Sequence, residues 1–164
     1  MDETEKRAQE ANTWPGRMVI SSAFSAVTVI LLLLKWFDIR YLSYFTDRSA
    51  CSVYDVVARW ADITDVLPLD HYTALVYVMG GLTVICALVH LFVFYQALQR
   101  KPDTASNGCA AAWSSVIVSI YTLIVIWALN GDETIIIFTL PFYLFAATGV
   151  LELVYYISEA KKQR

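Results

Sequence analysis

Four apolar stretches, each long enough to cross a bilayer, take up more than half of this chain, and they set its solvent before any other feature is considered. They cover residues 18–37, 72–98, 110–129 and 134–157. A transmembrane helix needs about 20 mostly apolar residues at about 1.5 Å of rise each, and all four stretches meet that length. The expected fold is all-α: a four-helix transmembrane bundle spanning residues 18–157. It has a polar tail at 1–17, an outer loop at 38–71 and a short tail at 158–164. With 58% hydrophobic content in 164 residues, the chain has room for one bundle and no second globular domain.

Charge sets the expected orientation. With four spans, both tails and the loop between the second and third spans share one side. That side carries Lys6, Arg7, Arg17, Arg100, Lys101, Lys161, Lys162 and Arg164, against Lys35, Arg40, Arg48 and Arg59 on the other. Eight against four predicts N-in, C-in. The net charge of −3 points to no nucleic-acid partner. The first stretch is longer than the apolar core of a signal peptide and ends at Lys35–Arg40 without a small-residue cleavage pattern, so it reads as an uncleaved helix. Lipid is the implied surrounding. Short loops, no Asn-x-Ser/Thr acceptor and a single outer cysteine, Cys51, with no second cysteine on its side for a disulfide, fit a bacterial inner membrane.

Between the spans, several local signals are expected to shape the chain. Pro15–Gly16 should break any helix in the first tail, with Trp14 and Arg17 at the headgroup layer. In the outer loop, Ile39, Tyr41, Leu42, Tyr44 and Phe45 read as a short strand or interfacial segment. Ser52 is placed to cap a helix reaching Trp60, with Val53, Val56, Val57 and Trp60 on one face. The loop is thus expected to be an ordered cap, and Tyr41, Tyr44 and Trp60 are its candidate interaction residues. Gly80–Gly81 marks a close contact or bend in the second span. Asn130–Glu133 makes a tight turn that forces the last two spans antiparallel, and Pro141 is placed to kink the fourth.

The most suggestive ionisable pair within the spans is His90 in the second and Glu152 in the fourth. Such groups are costly in lipid and usually face the interior. Both spans run in the same direction, and both residues fall within about two turns of the inner end, so the two side chains are expected to meet. Ser21, Ser22, Ser25, Ser114, Ser115 and Ser119 occupy the inner halves of the first and third spans. His90, Glu152, Ser22 and Ser115 therefore form the candidate intramembrane site. It reads either as a proton-linked or ligand-binding site or as a structural hydrogen bond, and the structural role is the simpler.

Metal ligation has no spaced His/Cys set, and catalysis has no nucleophile elbow, phosphate loop or zinc-protease motif. No cofactor, metal or enzymatic activity is expected. Trp36, Trp60, Trp113 and Trp127 fall near span ends, as interfacial anchors do.

A longer first outer loop and a very short second one give a layout that resembles claudin-like tetraspan membrane proteins in outline. The first loop carries one cysteine and no Trp…Gly-Leu-Trp-Cys-Cys pattern. The resemblance implies architecture alone and transfers no functional residue. The expected function is that of a non-enzymatic membrane protein acting through self-association or as an accessory of a membrane complex. A small transporter or channel using His90 and Glu152 is the alternative.

Overall fold

The computed structural model describes residues 3–41, 49–61, 70–99, 104–130 and 134–162. The chain is mostly helical. In order it forms α1 (Glu3–Leu33), β1 (Phe37–Tyr41), β2 (Ser49–Cys51), α2 (Val53–Ala58), a 3-10 turn (Asp70–Tyr72), α3 (Thr73–Leu98), α4 (Thr104–Leu129), β3 (Thr134–Phe138) and α5 (Leu140–Lys162). Among the described residues, three helical segments are long and apolar enough to cross a membrane: Thr73–Leu98, Asn107–Leu129 and Leu140–Glu159. These make the chain a multi-pass membrane protein. The apolar section of α1, Met18–Leu33, is shorter than a full span. It packs against α3 and α5, while α4 packs against both α3 and α5.

Two expected boundaries are corrected. The first apolar stretch does not stay helical to residue 37. Leu34 N–H bonds back to Leu31 in a tightened last turn, and the Trp36 indole Nε1 donates to the same Leu31 carbonyl at 2.7 Å. The chain then leaves as β1. The fourth stretch does not begin as a helix at residue 134. Its first five residues are β3, paired antiparallel with β1 in the register Phe37↔Phe138 to Tyr41↔Thr134. The run Thr-Ile-Ile-Ile-Phe is β-branched and aromatic and suits a pleated, half-buried surface. Pro141 consequently falls in the first turn of α5, where no backbone donor is required.

The tails also differ. α1 runs unbroken through Pro15 and Gly16. The carbonyl that Pro15 leaves without a donor precedes the apolar section, where water can satisfy it. At the other end of the chain, α5 extends beyond residue 157 to Lys162, and α4 begins at Thr104, ahead of its apolar run.

The sheet has the order β2-β1-β3. Its alternation turns Phe37, Ile39 and Ile136 into the core and leaves Ile135 and Ile137 outward. Asn130 closes one free edge: its side-chain oxygen accepts from Ile136 N–H at 2.7 Å, and its Nδ2 donates to the Ile136 carbonyl at 3.2 Å. One amide thus takes the place of a further strand at that residue.

Trp36 ties the sheet to the helices. Its N–H donates to Cys51 at 2.9 Å and its carbonyl accepts from Thr139 at 2.8 Å. Its fully buried ring lies 5.5 Å from that of Phe142 and 4.6 Å from that of Phe145. Ser52 caps α2 as expected, in a full capping box with Asp55, but the helix ends at Ala58 and does not run on through Trp60. α2 seats on α3 through Val57, whose Cγ2 would lie 2.8 Å from a Cβ at Gly80, whereas Gly81 faces open space. Gly80 is the close contact, and α3 needs no bend there.

Candidate functional site

The interior at the level of His90 and Glu152 is assembled by small residues and one-turn spacings. A Cβ at Gly149 would stand 2.8 Å from the Ser115 Cβ, so the missing side chain lets α5 approach α4. Glu152 follows Gly149 at i+3 on the same helix face and reaches α3. On α3, Cys86 and His90 are one turn apart and both fully buried. Ser119 bonds back to the Ser115 carbonyl at 2.9 Å, which keeps its hydroxyl within its own helix.

His90 Nε2 lies 3.2 Å from Glu152 Oε2 and 3.3 Å from Ser115 Oγ. Its Nδ1 lies 2.9 Å from the Cys86 carbonyl. A carbonyl only accepts, so Nδ1 carries a hydrogen. The short contact on the other side then requires one proton between Nε2 and Oε2. The pair is either imidazolium with carboxylate or imidazole with carboxylic acid, and both forms are neutral overall. In an apolar interior this is the arrangement with the least charge to bury. Cys86 Sγ accepts from the Ser114 hydroxyl at 3.3 Å and lies 3.6 Å from Ser115 Oγ.

The candidate residues separate into two groups. His90, Glu152 and Ser115 come together. Ser22 does not join them, because its hydroxyl donates to the Met18 carbonyl within α1. Trp60 is not a surface residue. It is buried, and its indole Nε1 donates to Thr73 Oγ1 at 2.8 Å, so it fastens the cap to α3. Tyr41 is the last residue of β1, opposite Thr134, and Tyr44 lies outside the described residues. The tryptophans divide too. Trp36 and Trp60 are interior, whereas Trp127 is 81% exposed and Trp113 is half exposed, as anchors would be. Sequence reasoning missed Cys86 as a member of the site. Its spacing of four from His90 was the available signal.

Outside the spans, backbone and side-chain hydrogen bonds from Ser52 hold the Asp55 carboxyl below the usual carboxylate range. Partial burial pushes the Tyr54 phenol up. Among the described residues, no three His, Cys, Asp or Glu side chains group so as to hold a metal ion.

Comparison with protein-family models, curated proteins and solved structures finds no match to the chain. The claudin-like outline therefore remains a likeness of layout.

Proposed function

We propose that the chain is a non-enzymatic membrane protein of four spans, with both tails in the cytoplasm of a bacterial inner membrane. It acts by associating through its outer cap, with itself or within a larger membrane complex. The observation that carries this reading is the cap's construction. Trp36, the Ser52–Asp55 box and the Val57–Gly80 contact fix a small sheet to the helix ends. That sheet presents Ile135 and Ile137, 41% and 39% exposed, on its outward face. Rigid elements hold a recognition surface better than loops do, and an outward apolar pair on a fixed sheet gives a partner apolar area to bury. As the fourth span, α1 is supported by its packing along α3 and α5.

The test is the mass of the purified protein in mild detergent, with and without reductant, for wild type and for an Ile135→Ser/Ile137→Ser double variant. A wild-type oligomer or defined complex that the double variant loses supports the reading. A wild-type monomer with no partner in native membranes overturns it.

A second reading is favoured by one specific observation: the buried Glu152 Oε1 has no hydrogen-bond partner among the described residues. In this reading the His90–Glu152 pair serves proton-linked transport. Proton flux in vesicles that is unchanged by Glu152→Gln and His90→Ala would remove its basis.

A further inference from the structure

Among the described residues, Ser25 Oγ and Thr28 Oγ1 on α1, Glu152 Oε1 and Tyr156 OH on α5, and Thr122 Oγ1 on α4 are buried without a hydrogen-bond partner. Leaving one such group unsatisfied costs about 1–3 kcal/mol. Native interiors avoid this cost, commonly with ordered water. Three of the five, Ser25 Oγ, Glu152 Oε1 and Tyr156 OH, belong to the tail-side stretch of α1 and α5, which pack against each other. Thr28 Oγ1 and Thr122 Oγ1 stand farther toward the sheet, where a helical threonine can turn its hydroxyl to its own helix's carbonyls.

Their depths can be matched. The Tyr156 hydroxyl lies beside that of Ser21, short of a well-formed hydrogen bond, and the Phe24 and Tyr155 rings are 6.0 Å apart. α1 runs toward the sheet and α5 away from it. Ser25 stands one turn nearer the sheet than Ser21, and Glu152 one turn nearer than Tyr156, a climb of about 6 Å on each helix. Ser25 and Glu152 therefore share a level.

The two ends of this column differ. Toward the sheet, Trp36, Phe142 and Phe145, with Leu32, Met79 and Val125, fill the interior with buried apolar side chains. Toward the tails, the buried groups include Gln96, bonded to Asn107 at 2.8 Å, together with Thr104 and Glu159.

We propose that a file of water enters from the tail end, passes Tyr156 and Ser21, and stops at Ser25 and Glu152 Oε1. The His90–Glu152 pair then exchanges protons with that side alone. A hydronium at the end of the file gives its proton to Oε1 and becomes water, and the pair passes from neutral to +1. The reverse step restores neutrality, and no other bond changes. The titratable groups around the pair are Cys86 on α3, beside His90, and Tyr156 on α5, itself near Tyr155 and Cys109 of α4, while Glu159 stands two turns farther along α5. Between Met18 and Leu33, α1 contributes hydroxyls and no charge. This inference does not depend on the association reading.

Silver ion, small and carried by water, tests the file. Ser25→Cys is made in full-length protein with Cys51, Cys86 and Cys109 changed to Ala, reconstituted in phosphatidylethanolamine–phosphatidylglycerol vesicles. Val125→Cys on the same background reports the apolar half. Silver on the tail side should block Ser25→Cys at least about tenfold faster than silver on the sheet side, a margin of about 1.4 kcal/mol in barrier, and should leave Val125→Cys unblocked. Equal rates from both sides, or a Ser25→Cys as inert as Val125→Cys, overturn the proposal. If Ser25→Cys does not fold, the wild-type infrared bands of the shared proton's carrier, the Glu152 carboxylic acid or the His90 imidazolium, assigned by subtracting Glu152→Gln and His90→Ala, decide after transfer to heavy water. A shift within the mixing time supports the file. A band unmoved after the α3 amides have exchanged refutes it.

Discussion

The sheet half and the tail half of the interior are built on opposite principles. Near the sheet, Trp36, Phe142, Phe145, Val53, Val56 and Val76 pack without unmet polar needs, because the indole and backbone of Trp36 all find partners. Near the tails, Ser21, Ser25, His90, Ser115, Glu152 and Tyr156 occupy equally buried positions. Several of their oxygens have no partner. The first half gains stability from apolar area and shape. The second takes on a cost that only a bound proton, hydrogen bonds and water can offset.

The largest expected effect lies in the sheet half. Trp36→Ala removes a fully buried ring and the indole bond to Leu31, and should cost about 3–5 kcal/mol. Trp113→Ala, at a half-exposed position, should change stability by no more than about 0.5 kcal/mol. Denaturant titration in mixed micelles compares the two. Equal losses would erase the distinction between core and anchor.

In the tail half, Glu152→Leu alone strands His90 in an apolar surrounding and should cost about 3 kcal/mol, whereas the double change with His90→Leu should recover most of that loss. The double-mutant cycle reads the coupling directly. Strict additivity would mean that the two side chains do not share a proton.

A smaller contrast comes from two glycines. Gly149→Ala drives a methyl into Ser115 and should cost about 1–3 kcal/mol. Gly81→Ala meets nothing and should gain about 0.5–1 kcal/mol from helix propensity. Thermal midpoints of the two variants should move in opposite directions.

The smallest effect concerns the cap. Asp55 has its folded pKa lowered by the Ser52 hydrogen bonds, so the stability it contributes is present above the ordinary carboxylate range and lost as pH falls through the folded value. The protection factors of the α2 amides, with the intrinsic pH dependence of exchange divided out, should therefore fall on acidification, below about pH 4. Asp55→Asn should flatten that dependence.

How far the sequence foretold these halves depended on whether a signal was local. α3 was legible almost to the residue, since a uniform apolar run ends in Gln-Arg-Lys-Pro. The α2 capping box was equally local. The meeting of His90 and Glu152 followed from counting turns along two helices of known direction. β3 was not legible, because an isoleucine-rich run fits a span or a strand equally well. Pairing with β1, nearly a hundred residues away, decided it. Trp36 was misread for a related reason: a tryptophan at a helix end can anchor in headgroups or close a core, and only its three-dimensional neighbours tell which.

Water-edited solid-state nuclear magnetic resonance on the reconstituted wild-type protein tests the central contrast most directly. Magnetisation from water should reach the Ser25, Glu152 and Tyr156 side chains early, and Phe145 and Val125 late. Equal build-up at all five, or earlier arrival at Phe145 and Val125, would contradict an interior that is wet toward the tails and sealed toward the sheet.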